Sequence, residues 1–536
     1  MNIQTQKMLQ GLENYPEFKD IVYCRGYLIT TKQLSITEKY PFFNNWNETK
    51  LLTSTTTVYL YTHKKTSYYT YSVNNRIYFL VGHVYDPFDM LFDDQIILQN
   101  LATIAKHGDS AFWEKESDLT GIFCIGYIDA DKITISTDAV GMQMVYYGEI
   151  ENNIYISSHS QIIADLCSLT IDPFVLKLVS SKYYHYFGTW LPGDLAPYKE
   201  LKRLQPNYYA QFDFGKSHIQ LNRYFPLCKI YENEQEYNST IKELGEIMSN
   251  NLILISRKWQ DKRTAISVTG GRDSLTTLSC ANGNYERFEY FSYISKSAEK
   301  VDAYAAKEIC EHLGLNHSIY DISENYGEAC KLDLLEAIIN CNGGYTGKRN
   351  RNEIRKRLYF LEHNHFDIEV KSWLNEIGRG WYYNKYDKKS FPRRPSASYL
   401  RSMYKIILSP WLIHYTDKAF SDYLQKYYSD NVFDNLSWLE LIYWEFTWAG
   451  NEGISLNAEH RLAYEITIPF NNRRYLAKMM TVPIQKRKTD CIPNDLIQLM
   501  NPKIAETEIK IKDADHTFSW TAKLRIYLEI MSRIRF

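Results

Sequence analysis

The sequence predicts an α+β N-terminal domain, an antiparallel β sandwich with helices, followed by an α/β domain with a doubly wound parallel sheet and a helical C-terminal extension. Three observations carry that expectation. Residues 1–225 are rich in short β-branched and aromatic runs separated by Asn, Asp, Gly and Lys clusters. From residue 264 strands and helices alternate, the pattern of a parallel sheet. Residues 330–536 carry mainly helical periodicity. The texture changes between 220 and 235, which divides the chain into domains 1–225 and 235–536.

In the first domain the strands are IVYCRGYLIT (21–30), TTTVYLYTH (55–63), RIYFLVGHVYD (76–86), GIFCIGYID (121–129), KITISTDA (132–139), MVYYGEI (144–150) and NNIYISSH (152–159). One helical segment, IILQNLATIAKHG (96–108), interrupts them. In the second domain residues 234–259 have apolar positions at helical spacing. TAISV (264–268) then reads as a buried strand, TGGRDS (269–274) as a tight turn and LTTLSCANG (275–283) as a helix start. FEYFSYIS (288–295) is the next strand, DAYAAKEICEHLG (302–314) a helix stopped by Gly314, and NHSIYDI (316–322) a third strand. FDIEVKSWL (366–374) is a further strand candidate.

Composition excludes several classes. The 536 residues carry a formal net charge of −1, so no one-sided field points to nucleic acid or an anionic membrane surface. Nine cysteines (Cys24, Cys124, Cys167, Cys228, Cys280, Cys310, Cys330, Cys341 and Cys491) form no CxxC pair, which argues against zinc or a disulfide framework and for a reducing compartment. The first ten residues have no apolar h-region, and no apolar window approaches the roughly 18 residues of a membrane span. The expected location is the cytoplasm. The 45 tyrosines are spread along the chain and read as composition bias first.

The strongest chemical signal is Thr269-Gly270-Gly271-Arg272-Asp273-Ser274. Two glycines let backbone N–H groups face a phosphate without a Cβ in the way. Thr269 and Ser274 add neutral donors, and the following helix offers its N-terminus to an anion. Asp273 would repel phosphate unless Mg²⁺ stood between them. Neither GxxxxGK[ST] nor GxGxxG is present. The loop resembles the SGGxDS loop of ATP-pyrophosphatases, with Thr for the first Ser. That resemblance implies ATP. Ligands of an open α/β sheet sit beyond the carboxyl ends of its strands, which sets the backbone at Val268 and Ile294 to frame the adenine. Asp302 opens the next helix, either as a plain N-terminal acid or as a ligand.

With these residues in view nearly the whole length of the chain resembles the asparagine synthetase family, whose relatives include β-lactam synthetase and the lasso-peptide cyclases. LTGIFCIGYID (119–129), STDAVGMQMVYYG (136–148), YISSHSQIIADL (155–166) and LKRLQPNYYAQFD (201–213) are similar, in order, to its N-terminal-nucleophile-type glutaminase domain. A working glutaminase of that type starts on its cysteine. Here Met1 precedes Asn2 and the first cysteine is Cys24, so the expectation is a glutaminase-like domain without that activity. SWLNEIGRGWYY (372–383) resembles the SGxGADExFGGY loop, which sets Asn375 on the family's Asp and Glu376 on its Glu. Asp273, Asn375 and Glu376 are thereby implied as Mg²⁺ ligands, with a loop pairing of Glu376 and Arg379 as the bland reading. NAEHRLAYEITIPFNNRRYL (457–476) is similar to the ExRxPFLDxxL segment and reads mainly as scaffold. PIQKRKTD (483–490) lies where the family carries a late lysine, implying Lys486, Arg487 or Lys488 as the catalytic cation.

The activity implied is adenylation of a substrate carboxylate, with AMP and pyrophosphate released, and amide formation with ammonia or a substrate amine. An intramolecular cyclase and a nucleotide-binding pseudoenzyme are the alternatives. The partners implied are a small-molecule or peptide carboxylate and a nitrogen nucleophile, with a homodimer by family habit. The aromatic and basic stretch 381–400 is either a substrate cover or a surface loop turning at Pro392.

Overall fold

The computed structural model describes residues 3–181, 184, 190–215, 219–226, 230–344, 350–385, 395–404, 407–428 and 438–507. Cys228, residues 386–394 with Pro392, and residues 508–536 lie outside them. The eight described cysteines are free thiols.

The N-terminal part contains twelve strands: β1 (Tyr27–Thr30), β2 (Trp46–Leu52), β3 (Thr57–His63), β4 (Tyr68–Val73), β5 (Arg76–Tyr85), β6 (Thr120–Ile128), β7 (Lys132–Thr137), β8 (Tyr146–Ile150), β9 (Asn153–Ser157), β10 (Lys202–Arg203), β11 (Tyr208–Asp213) and β12 (Ile219–Arg223). They form two antiparallel six-stranded sheets, in the orders β10-β8-β9-β1-β3-β2 and β12-β11-β7-β6-β5-β4. Short-range chemistry sets the hairpins. Asn74 and Asn75 both take left-handed backbone (φ 53° and 58°) in the two-residue turn closing β4 on β5, as a type I′ turn requires.

Period-two alternation stacks these sheets. Ile29 and Leu60 of one and Phe79, Ile122 and Cys124 of the other share one buried core. Their chain neighbours point outward. Leu28 and Tyr61 pack with Met8 and Ile338. Leu80, Phe123 and Ile125 pack with the helices Asp94–Ile104 and Asp109–Glu116. The layers are therefore helix, sheet, sheet, helix, with the central strands of each sheet buried on both faces.

The chain then enters the long helix Tyr237–Lys258 and a five-stranded parallel sheet, from β13 (Thr264–Ser267), β14 (Glu289–Ile294), β15 (His317–Asp321), β16 (Ile368–Val370) and β17 (Glu465–Thr467). Its order is β15-β14-β13-β16-β17. The strand order moves outward from β13, then reverses to β16 on its other side. That reversal, beside β13, is the doubly wound switch point.

The segment after β17 joins the two parts. Asn471 donates to the Gly121 carbonyl and to Asp138 Oδ1. Thr120 and Asn472 form an isolated antiparallel bridge. Arg473, fully buried, pairs with the fully buried Glu116 at 2.8 Å and donates to Asn207 Oδ1 and the Thr137 and Asp138 carbonyls. Among the described residues no helix is long and apolar enough to cross a membrane.

Candidate functional site

The apolar residues of β13 bury it between β14 and β16, so the chain leaves the sheet at the switch point. It turns through Val268–Gly271 into the helix Arg272–Cys280. Ser274 organises this turn. Its hydroxyl donates towards the Thr269 and Gly271 carbonyls at 2.9 and 3.0 Å, accepts from the Thr269 amide at 3.1 Å and lies 3.0 Å from Thr269 Oγ1. The Gly271 amide meets Thr269 Oγ1 at 3.2 Å. Neither glycine is left-handed here. A Cβ at Gly270 would stand 3.3 Å from Ala305 Cβ and 3.5 Å from Asp302 Oδ1, so close approach is what favours glycine.

The turn opens on a cavity of about 340 Å³ lined by Val268, Thr269, Gly271, Asp273, Ser274 and Glu376, and also by Ser292, Tyr293, Asp302, Glu369, Lys371 and Trp373. Both main-chain groups of Val268 are already engaged: its amide donates to the Phe291 carbonyl at 2.8 Å and its carbonyl accepts from Ser292 Oγ at 2.6 Å. The Ile294 carbonyl accepts from the Ile322 amide at 2.7 Å. Three of the four main-chain groups expected to frame the base, both of Val268 and the Ile294 carbonyl, thus already have partners.

Asp273 is the electrostatic centre. Arg379 Nη1 donates to its two oxygens at 3.0 and 2.9 Å, and Asn375 Nδ2 to Oδ1 at 2.8 Å. Burial raises the Asp273 carboxyl and Arg379 opposes that. Glu376 is pushed up to about 8, first by burial and then by the charge of Asp273. Arg379 therefore pairs with Asp273 and not with Glu376. Its Nε holds Asp490 Oδ1 at 2.7 Å, and Arg272 holds Asp490 Oδ2 at 3.0 Å.

As folded, this set does not fit Mg²⁺. Both oxygens of Asp273 are taken by hydrogen-bond donors. Asn375 Oδ1 and Glu376 Oε2 are buried without a hydrogen-bond partner, but one is neutral and burial favours the protonated form of the other. The described residues contain no group of three His, Cys, Asp or Glu able to hold a metal.

The basic run 483–490 stands elsewhere. Arg487 is buried in an ion pair with Glu440 and donates to the Val482 carbonyl at 2.6 Å. Lys486 is half-exposed and pairs with Glu234 at 2.7 Å. The Lys488 carbonyl accepts from Asn384. None of the three lines the cavity. Lys371 does: it is buried, its Nζ lies 3.1 Å from Glu369 Oε1 and 4.6 Å from the Trp373 ring centre. Sequence reasoning passed over Lys371 and Trp373, although their place just after a predicted parallel strand at the sheet's carboxyl edge was a usable signal.

In the N-terminal part Cys24 is buried, with Sγ 3.7 Å from the Arg461 carbonyl. Its own nitrogen is a peptide amide directed at the Ile21 carbonyl.

No protein-family model and no characterised protein matches the chain in sequence. Among solved structures it matches glutamine phosphoribosylpyrophosphate amidotransferase from B. subtilis complexed with ADP and GMP, at 11% identity and TM-score 0.23, over 70% of this chain and 75% of that one. It also matches an allosteric regulatory enzyme of purine biosynthesis, at 11% identity and TM-score 0.24, over 69% and 74%. At those values the likeness carries no argument about function.

Proposed function

We propose that this chain is an ATP-dependent, AMP-forming carbon–nitrogen ligase of the asparagine-synthetase-like type. One observation carries the reading: a glycine turn closed by Ser274, at the switch point of a parallel sheet, opening on a cavity lined by Lys371 and Asp273. In this reading the amide of Gly270 and the first turn of helix Arg272–Cys280 receive the phosphates. A substrate carboxylate oxygen attacks the α-phosphorus, and the bond to pyrophosphate breaks. A nitrogen nucleophile then attacks the acyl carbon and AMP leaves. Lys371, fixed by Glu369 and Trp373, replaces the 486–488 run as the cation that steadies charge on the reacting phosphoryl and acyl oxygens. The amide is formed with ammonia or a substrate amine, because Cys24 offers no free α-amino group as base. The ring-forming version uses the same steps with both groups in one molecule.

The test is AMP and pyrophosphate formation from [α-³²P]ATP across a panel of carboxylates, with ammonium and with glutamine separately. Turnover that responds to ammonium and is lost in Lys371→Met is the expected result. Failure of the chain to bind ATP overturns the reading. ATP binding without turnover on any panel member favours the pseudoenzyme, a reading that Asn375 and the Arg379–Asp273 pair also favour.

A further inference from the structure

A carboxylate beside a phosphate needs a cation between the two anions. In this chain a cation already stands at that carboxylate. Asp273, Arg379, Asp490 and Arg272 alternate in sign at contacts of 2.9, 2.7 and 3.0 Å. Arg272 is further held by Asn494 Oδ1 at 3.0 Å. Arg379 ends the short turn Asn375–Arg379, which is flanked by two left-handed residues, Leu374 (φ 83°) and Gly380 (φ 63°). That turn aims the guanidinium back at the 269–274 loop. Asn375, at 0% exposure, spends its amide nitrogen on Asp273 and leaves Oδ1 without a partner. A planar guanidinium matches phosphate oxygens in the same forked manner in which it matches a carboxylate.

We propose that this site binds the polyphosphate tail of its ligand without a divalent metal, Arg379 giving up part of its two-oxygen contact with Asp273 to bridge that carboxylate and the phosphate oxygens while Asp490 keeps hold of its Nε. The inference rests on the reading of the 269–274 loop as a phosphate site. The shared ligand chemistry is a pyrophosphate group, free or at the end of a nucleoside triphosphate. Because Asp273 competes for the same guanidinium, removing its charge strengthens metal-free binding while removing Arg379 abolishes it. A site that needed a metal on Asp273 would respond in the opposite sense to the first change.

The experiment is calorimetric titration of the full chain with sodium pyrophosphate and, separately, with ATP, each in EDTA and in excess Mg²⁺. The expected dissociation constants in the two conditions agree within about threefold, Arg379→Gln weakens binding in EDTA at least about tenfold, and Asp273→Asn tightens it several-fold. Arg379→Lys, which keeps the charge and loses the fork, falls between wild type and Arg379→Gln. If Arg379→Gln does not fold, Arg379→Lys and Asp273→Asn still decide. Binding that appears only with Mg²⁺ overturns the proposal and leaves the loop reading standing. Metal-free binding unchanged by Arg379→Gln or by Arg379→Lys, or weakened by Asp273→Asn, overturns it as well. Binding of neither probe in either condition removes the loop reading together with the proposal.

Discussion

Replacing Arg473 by Met tests how the two parts of the chain are held together. Arg473 and Glu116 are both fully buried, and the guanidinium also serves Asn207 Oδ1 and two carbonyls, of Thr137 and Asp138. Methionine fills much of the volume and supplies none of those donors. Breaking a buried pair from one side costs about 3–5 kcal/mol, because the remaining charge is stranded. Glu116 has one escape, which is to take up a proton. Burial already raises its pKa to about 6 with Arg473 pulling the other way. A carboxyl with a folded pKa above its unfolded one binds more protons in the native state, so its contribution to stability declines as pH rises from about 4.5 through the folded pKa. Without Arg473 that window extends upward, and the penalty grows by about 1.4 kcal/mol per pH unit inside it. The assay is urea unfolding by tryptophan fluorescence and circular dichroism at pH 6 and pH 8, comparing the first transition. The expected gap between Arg473→Met and wild type is wider at pH 8, and Glu116→Gln added to Arg473→Met recovers part of it. A penalty below about 1 kcal/mol, or one independent of pH, would refute the argument.

Two further outcomes bear on the site. Lys371→Met is expected to lower turnover about 100-fold or more while ATP affinity stays within about threefold, whereas Lys486→Met leaves both unchanged, since the Lys486 ammonium is held by Glu234 outside the cavity; equal loss in both variants, read by steady-state kinetics, contradicts this. Glu376, raised from 4.5 to about 8, destabilises the native state progressively as pH climbs through that interval. Glu376→Gln is therefore expected to gain in thermal midpoint over wild type between pH 5 and pH 8.5, and a gain that does not grow with pH argues against a buried, strained carboxyl.

Much of the scaffold was legible because its causes are local. Consecutive apolar residues such as Leu28 and Ile29, or Leu80 and Val81, announce strands with two buried faces. The glycine turn between an apolar strand and a helix start is likewise a short-range pattern, and it lies at the sheet's switch point. The 486–488 run illustrates the limit. Its charges are plain in the sequence, yet only the fold shows Arg487 drawn inward to Glu440 and Lys486 turned to Glu234. A lysine after β16 looks like any strand-end lysine until Glu369 and Trp373 are seen to hold it at the cavity.

By itself, then, the sequence determined most of the buried strands, though it announced one helix in residues 1–225 where Ile3–Asn14, Asp109–Glu116, Ser160–Leu166 and Pro173–Val179 are helical too and left out the edge strands β2, β4 and β12, and it determined that a loop of two glycines, an aspartate and two hydroxyls sits at a helix N-terminus. Backbone preference and hydrophobic period act over a few residues, so those features need no distant partner. Only the tertiary structure decided which charges meet. Asp273 finds Arg379 across 106 residues and Arg473 finds Glu116 across 357. Such pairings depend on strand order and burial, because a buried charge is stable only against a partner that the whole fold delivers.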